Sequence, residues 1–165
     1  MVMIPPYLDD GEPVFIKIAK QSKAPKKGNS AKEGPFFRIT DTEITDHIQQ
    51  GGNVGRVLRD GFIAIDVDHR ILLNELSEWP DTFVVESGGD DLGFHYYYRV
   101  PTWHYNQKEL TDNGQNIGSI RSGNSYCLVP PSNHDETGDE YTVSNPRKVA
   151  EVSVSEVSDL IDEFG

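Results

Sequence analysis

Phe62-Ile-Ala-Ile-Asp-Val-Asp, at residues 62–68, is a short apolar run that ends in two aspartates two positions apart. Its β-branched and apolar side chains, bounded by Gly61 and His69, predict a buried strand. Side chains two apart on a strand point to the same face, so Asp66 and Asp68 are expected to project together. Two unpaired carboxylates in a low-dielectric site repel each other, and a divalent cation such as Mg²⁺ or Mn²⁺ would relieve that cost. The alternative is a strand end with two solvated acids.

The length and composition indicate one compact domain with its own core, because the chain has 165 residues and a modest hydrophobic content. The sequence has no run of about 18 apolar residues, so no membrane span is expected. The N-terminus lacks the basic and apolar regions of a signal peptide, which predicts a cytoplasmic protein. Cys127 is the single cysteine, and this excludes a disulfide framework and a cysteine zinc site.

The chain is strongly acidic, but its charge is unevenly distributed. Its formal net charge is −12, from 15 basic and 27 acidic residues, and a uniform charge of that sign would repel nucleic acid. Lysines are concentrated in and around residues 20–36, which are predicted to be a basic loop. Lys23, Lys26 and Lys27 in this loop are candidate contacts to nucleic-acid phosphates. The alternative is a solvated loop, and the overall acidity also fits a protein of a high-salt cytoplasm.

Hydrophobic periodicity predicts a mixture of paired strands and few helices. Predicted strands cover 13–18, 53–58, 62–68, 82–86, 95–100, 117–121 and 126–129. Predicted helices cover 41–50, 71–79 and 153–164, the last capped by Ser153 or Ser155. Asp60-Gly61 and residues 122–124 are predicted hairpin turns, and residues 102–115 are predicted to be a loop. These elements predict an α+β domain, a largely antiparallel sheet with flanking helices.

Two further segments carry candidate phosphate-binding groups. Ser87-Gly88-Gly89 follows a predicted strand, and glycines there let backbone N–H groups approach a phosphate closely. His95 begins an aromatic strand, where it could donate a hydrogen bond to a phosphate or a proton to a leaving group. Arg121 has the bidentate fork that suits a triphosphate or a carboxylate. The alternatives are an ordinary hairpin loop with a strand-edge histidine, and a structural ion pair made by Arg121.

Taken together, these segments resemble the bifunctional primase–polymerase (prim-pol) domain of the archaeo-eukaryotic primase superfamily. The resemblance is carried by the run at 62–68, by Glu86-Ser-Gly-Gly before His95-Tyr-Tyr-Tyr, and by Ile120-Arg-Ser-Gly-Asn-Ser-Tyr-Cys-Leu-Val-Pro-Pro-Ser-Asn-His. Lys23-Ala-Pro and Asn53-Val-Gly are similar to the early motifs of that family. The resemblance covers about residues 13–145, and the Pro-Pro-Ser exit is its most distinctive part.

This resemblance implies a template-dependent nucleotidyl transferase with an RRM-like or palm-like sheet. It implies one domain over residues 1–165, with a catalytic-type core at 53–134, placed at the N-terminus of a larger replication protein of plasmid or viral type. The implied partners are nucleoside triphosphates, single-stranded or primed DNA, and a replicative helicase or helicase domain. Asp66 and Asp68, with a third acid, would hold two Mg²⁺ or Mn²⁺ ions that stabilise the attacking hydroxyl and the leaving pyrophosphate. The residues implied to bind the nucleotide are Ser87, Gly88, Gly89, His95 and Arg121, with His95 also in the catalytic set.

Two departures from the family pattern bear on activity. The third acid is expected at the position of Ser119, and a serine hydroxyl is a poor metal ligand. The glycine loop is longer than in the family and contains Asp90 and Asp91. We hypothesise that Asp90 or Asp91 supplies the missing ligand, and Asp112 is another nearby acid.

A second function remains open at this point, and a third is disfavoured by the sequence. A degenerate prim-pol fold would bind nucleotide or single-stranded DNA without polymerising, and Ser119 favours it. In that case bases could stack on aromatic side chains, although alternate strand residues face the core; the candidates are Tyr96, Tyr97, Tyr98, Trp103 and Tyr105. A rolling-circle endonuclease needs two histidines that flank one residue, and this spacing is absent from His69, His95, His104 and His134.

Overall fold

The computed structural model describes residues 3–103 and 106–165, so the predictions for His104 and Tyr105 lie outside the described residues. The strands are β1 (Phe15–Ile18), β2 (Asn53–Leu58), β3 (Phe62–Val67), β4 (Val84–Glu86), β5 (Phe94–Arg99), β6 (Lys108–Asp112), β7 (Gln115–Arg121), β8 (Ser125–Leu128), β9 (Thr142–Asn145) and β10 (Ala150–Glu151). The helices are α1 (Thr42–Gln49), α2 (Arg70–Leu76) and α3 (Val154–Phe164), after a 3₁₀ turn at Pro6–Leu8. Among the described helices, none has both the length and the apolar character that a membrane crossing requires.

The strands of the described residues form two sheets. The larger sheet has the order β6-β7-β3-β5-β4-β9, with β10 parallel to β5 and the other pairings antiparallel. The smaller sheet has the order β1-β2-β8 and is antiparallel. The predicted α+β class with a largely antiparallel sheet is therefore confirmed.

The larger sheet buries a different core on each of its faces. Alternation along β3 sends Phe62 and Ala64 toward the smaller sheet, where they join buried residues of β1, β2 and β8. Ile63 and Ile65 point the other way and pack with buried residues of α2 and α3. Asp66 lies on the same face as Ala64, so the acidic end of β3 faces the side on which the smaller sheet packs.

The helix ends follow local capping rules. The Ser153 hydroxyl accepts the N–H of Glu156 at 3.1 Å, which is the predicted cap of α3. Helix α2 begins after His69, whose Nδ1 accepts the N–H of Ile71 at 3.2 Å. It ends before Pro80, which cannot continue a helix because its ring blocks the preceding turn.

Both predicted hairpin turns connect different sheets, so the prediction of paired strands there is wrong. Asp60 and Gly61 do form a tight turn, with φ of 55° and 81° and an N–H of Phe62 that reaches Arg59 O at 3.0 Å. The flanking strands β2 and β3 nevertheless pair with other partners, β2 with β1 and β8, and β3 with β5 and β7. The turn at 122–124 likewise passes from β7 to β8 in the other sheet. A turn motif in the sequence predicts that the chain reverses direction. It does not predict which strands pair, because pairing depends on which strand edges are available in the folded protein.

The predicted loop at 102–115 is wrong for residues 108–112, which form the edge strand β6. Leu110 is the only buried residue of this strand, and its neighbours in the strand are polar. The segment therefore lacks the apolar alternation that predicts a strand. The turn to β7 is made by Asn113 and Gly114, with φ of 49° and 79°. Asn-Gly is a strong hairpin signal, and it was the one available sign of β6. Strands β9 and β10 were also missed, since both are short and polar.

Candidate active site

A row of polar side chains crosses the centre of the larger sheet. Asp66 on β3 lies directly opposite His95 on β5 and Ser119 on β7. Ser119 in turn lies opposite Glu109 on β6. Because directly opposite residues on neighbouring strands share a face, these four side chains stand side by side. The position of the expected third acid is therefore the nearest neighbour of Asp66 on β7, and it is occupied by a serine that is 3 % exposed.

Both carboxylate oxygens of Asp66 have cationic or imidazole partners. His95 Nε2 lies 3.4 Å from Oδ1, while Arg121 Nη2 and Nε lie 3.2 and 3.4 Å from Oδ2. Burial alone would raise the pKa of Asp66, but the charges and hydrogen bonds of His95 and Arg121 outweigh it and lower that pKa to about 2. Asp66 is therefore ionised throughout the neutral pH range, as a ligand for a cation must be.

Asp68 lies just beyond the end of β3 and is exposed. Its N–H reaches Ile117 O at 3.1 Å, so the backbone remains extended and Asp68 stays on the side of Asp66. Partial burial, followed by the charge of Asp66, raises the pKa of Asp68. An exposed carboxylate beside one that is ionised at neutral pH supplies hard oxygen donors, the type of ligand that a divalent cation prefers.

The two aspartates open into a cavity of about 530 Å³. Its lining includes the predicted residues Asp66, Asp68, Ser87, Gly89, His95, Arg121, Lys23, Asp90 and Asp91. Gly88 is not on this lining; its carbonyl accepts the hydroxyl of Thr137, and its backbone packs against Asp139. Lys26 and Lys27 are exposed on the basic loop outside the lining.

Sequence reasoning left several lining residues without a role, among them His134 and Tyr141. His134 ends the quoted family segment but had no assigned task. Tyr141 follows it after a stretch of polar residues and is 3 % exposed. A histidine two positions after Pro-Pro-Ser was the available signal for this wall of the cavity.

The acids of this region do not converge as a three-ligand metal site. Within residues 3–103 and 106–165, no three His, Cys, Asp or Glu side chains come together as a group that could hold a metal ion. Asp90 and Asp91 line the cavity without joining such a group, and Asp112 is not on the lining. Asp66 and Asp68 are the two carboxylates at the end of β3 that line the cavity, and Ser119 contributes no third carboxylate beside Asp66.

Most of the aromatic residues considered for base stacking belong to the core. Tyr97 and Tyr98 are fully buried on opposite faces of the larger sheet, and Trp103 is 4 % exposed. A buried ring has no face available to a base, so the stacking role is wrong for these three. Tyr96 is partly buried and lies outside the main cavity.

The family of the bifunctional DNA primase/polymerase N-terminal domain matches residues 6–155. The chain belongs to this family. The match extends the resemblance carried by residues 13–145 at both ends, and the family that it identifies is one of primase/polymerase-type nucleotidyl transferases. No curated protein matches this prim-pol domain significantly.

Two walls of the prim-pol cavity are held together by the buried side chain of Asn53. Its amide nitrogen donates to Ser22 O at 3.0 Å and to Asn133 O at 2.9 Å, and its oxygen accepts the N–H of Asn133 at 2.9 Å. Ser22 and Asn133 immediately precede Lys23 and His134, which both line the cavity. Asn53 therefore fixes the distance between the basic loop and the turn after β8.

Asn53→Ala is expected to loosen this connection and to cost about 2–3 kcal/mol, because it leaves three part-buried backbone groups without their partner. Trypsin should then cleave the loop at 20–36 faster, and urea unfolding should show the loss of stability. Asn145→Ala is a matched control, since Asn145 makes a single bond of 2.9 Å to Thr82 O away from the cavity. Equal cleavage rates and stabilities for the two variants would contradict the connecting role of Asn53.

Proposed function

We propose that this prim-pol domain is a DNA-directed nucleotidyl transferase that extends or makes primers in plasmid or viral-type replication. The observation that carries the proposal is the charge arrangement of one cavity. Two carboxylates, Asp66 and Asp68, lie at its surface beside the cationic groups of Arg121 and Lys23. Carboxylates suit a divalent cation, and the cations suit the phosphates that such an ion accompanies.

Asp66 and Asp68 would hold the Mg²⁺ or Mn²⁺ ion of the family. When bound, such an ion supplies a Lewis acid that polarises a phosphoryl oxygen. Asp66 is kept ionised by Arg121 and His95, and Asp68 is exposed to receive the ion. A second ion would find the neutral hydroxyl of Ser119 where the family pattern has a carboxylate, and this hydroxyl is a poor metal ligand.

The remaining predicted residues would bind and orient the nucleotide. The guanidinium group of Arg121 could exchange its ion pair with Asp66 for a bidentate contact to a phosphate when a metal ion neutralises the carboxylate. Ser87 and Gly89 line the cavity and lie on the loop that connects β4 to β5. In this loop the N–H of Ser87 donates a hydrogen bond to Gly93 O at 3.0 Å. His95 faces Asp66 with Nε2, and among the described residues its buried Nδ1 has no hydrogen-bond partner. The imidazole could therefore serve a phosphate or a leaving group that reaches it.

We further propose residues 1–165 as one functional unit of a larger replication protein. It would comprise the basic loop at 20–36, the core at 53–134 and the C-terminal helix at 153–164. The family supports nucleotides and DNA as substrates. A replicative helicase, as a separate protein or a following domain, is the partner that such a unit would need to expose its template.

Primer extension on a primed single-stranded DNA template tests the proposal. The reaction is run with Mn²⁺ and with Mg²⁺, at low and at molar KCl, because an acidic surface self-repels when screening is weak. We expect metal-dependent extension of the primer. Absence of extension under every condition, with nucleotide or DNA binding intact, would overturn the polymerase assignment.

The second candidate is a prim-pol fold that binds nucleotide or single-stranded DNA without polymerising, and one observation favours it. Ser119 lies directly opposite Asp66 and is 3 % exposed, at the position where the family pattern expects an acid. With a neutral hydroxyl at this position, the row of polar side chains has one negative charge fewer than the family pattern predicts. Activity of the natural protein therefore depends on whether the pair at Asp66 and Asp68 is sufficient.

Ser119→Asp is expected to raise Mn²⁺-dependent extension by about tenfold or more, since a third carboxylate strengthens the metal's hold. Mn²⁺ should also raise the Tm of this variant more than that of the natural protein. Ser119→Asn is the matched control, with nearly the same volume and no charge. If the Asp and Asn variants behave alike in both assays, the missing carboxylate is not what limits the site.

A further inference from the structure

His134 forms part of the cavity wall and is held rigidly there. The residue is 8 % exposed, and it lines the cavity together with Gly89 of the glycine loop. A Cβ placed on Gly89 would come 3.0 Å from His134 Nε2. The side of the ring that carries Nε2 therefore faces the glycine loop, and a side chain at position 89 would press against it.

Backbone groups fix which ring nitrogen carries the proton. The N–H groups of Glu136 and Thr137 point at His134 Nδ1 from 3.2 and 3.5 Å. An atom that accepts two N–H groups carries a lone pair, so the proton of the neutral ring is on Nε2. The carboxylate of Asp135 lies 3.5 Å from the same Nδ1 and is also 3.7 Å from Lys23 Nζ, which offers it a positive partner.

A neighbouring aromatic ring packs beside His134 on the cavity wall. Its ring stacks on Tyr141 at 6.2 Å between centroids and 23° between planes. Tyr141 in turn lies 6.2 Å from His95. The three rings form a continuous wall that runs from the partner of Asp66 to the glycine loop.

We infer that His134 binds the triphosphate of the incoming nucleotide by donating a hydrogen bond from Nε2, next to the glycine loop. This inference rests on the proposed function and adds a binding residue to it. The backbone N–H groups of Glu136 and Thr137 occupy Nδ1, so His134 acts as a hydrogen-bond donor through Nε2 and not as a metal ligand or a base. Lys23 and Arg121 supply charge to the same cavity, whereas a fixed N–H donor supplies direction.

Two substitutions separate binding from a structural role. In His134→Asn, the side-chain oxygen can still accept the N–H of Glu136, but no donor reaches the position of Nε2. In His134→Gln, the amide nitrogen reaches that position, while the acceptor for the turn is lost. Thr137→Val is the matched control, because it disturbs the contact between the same turn and Gly88 and leaves the ring in place.

The experiment measures binding of a non-hydrolysable nucleoside triphosphate in Mn²⁺ by calorimetry, together with Tm and with Mn²⁺ affinity by electron paramagnetic resonance. We expect His134→Asn to raise the nucleotide Kd tenfold or more, with Mn²⁺ affinity unchanged and Tm close to that of the natural protein. His134→Gln should bind the nucleotide more tightly than His134→Asn despite a lower Tm. Inorganic triphosphate should show the same order of affinities as the nucleotide.

Four outcomes would overturn the inference. Unchanged nucleotide affinity in His134→Asn would remove His134 from the binding site, and equal losses in the Asn and Gln variants that follow Tm would assign it a structural role. Weakened nucleotide binding with unchanged triphosphate binding would exclude the phosphate contact. Absence of nucleotide binding by the natural protein would overturn the proposed function as well, which distinguishes the two failures.

Discussion

Asp66→Asn is expected to abolish nucleotide incorporation, with a loss of about a thousandfold or more. The carboxylate lies at the centre of the polar row, and the metal ion proposed to bind there would supply several kcal/mol of transition-state stabilisation. Each 1.36 kcal/mol corresponds to about tenfold in rate, so the loss of the ligand removes at least three factors of ten. Primer extension in Mn²⁺ with single-turnover kinetics measures this effect directly.

Asp112→Asn is the matched control for this prediction. Asp112 is an acid on the edge strand β6 of the same sheet, but it is not on the cavity lining. Its substitution should leave the rate of extension within about twofold of the natural value. An Asp66→Asn variant that retains more than a tenth of the activity would show that the metal, or the chemistry, lies elsewhere.

Asp66 also gives the protein a defined acid sensitivity. Its pKa in the folded chain is about 2, below the ordinary value of 3.8. A group with a lowered folded pKa stabilises the fold above its unfolded pKa and loses that contribution as the pH falls through the folded value. With metal removed by a chelator, the natural protein should lose about 2 kcal/mol between about pH 4 and pH 2. Acid unfolding followed by tryptophan fluorescence should show this loss in the natural protein and not in Asp66→Asn.

Asp10→Ala is expected to cost about 3–5 kcal/mol of stability, because it leaves a fully buried guanidinium without its counter-ion. Arg56 has a side-chain exposure of 0 % and lies 3.1 Å from the Asp10 carboxylate. Its Nε donates to Leu8 O at 3.0 Å, and its guanidinium stacks 3.7 Å from the centre of the Phe62 ring. Burial lowers the pKa of Arg56 to about 10 even in the presence of Asp10, which shows how costly this charge is to bury.

Urea unfolding of Asp10→Ala beside Asp9→Ala tests this prediction. Asp9 accepts a local bond of 3.0 Å from the N–H of Gly11 and is not paired with Arg56, so its loss should cost less than about 1 kcal/mol. Arg56→Met, which removes the charge and fills the space, should be less destabilised than Asp10→Ala. Similar unfolding free energies for the two aspartate variants would show that Arg56 does not depend on Asp10.

The sequence predicted the strand of Asp66 well because its pattern is local. A run of β-branched residues must be buried, and the alternation along it fixes the face on which Asp66 lies. The partners of that strand depend on long-range pairing, which no local pattern contains. The turn at Asp60 and Gly61 was therefore recognised as a turn, while the strand after it paired with β5 and β7.

The residues of the candidate site could also be predicted only in part, because local motifs identify single residues but not their neighbours in the fold. Asp66, His95 and Arg121 were singled out separately as a cation ligand and two phosphate contacts. The structure places His95 and Arg121 each within 3.4 Å of the Asp66 carboxylate. Arg121 thus makes the ion pair that had been its alternative role. The role that we infer for His134 could not be predicted, because its neighbours Gly89 and Tyr141 come from other parts of the chain. The role of Asn53 was also hidden, since it depends on two loops meeting at one amide.

Strand β3 is hydrogen-bonded to neighbouring strands along both edges, and this affects how the site responds to partial unfolding. Amide protons in such a strand exchange with solvent mainly when the whole domain opens, whereas those in edge strands and loops exchange through local openings. The amides around Asp66 should therefore be among the last to take up deuterium. A carboxylate on that strand keeps its place through the local fluctuations of the glycine loop. Heating should accordingly disrupt the proposed metal site and the globular fold in a single cooperative step.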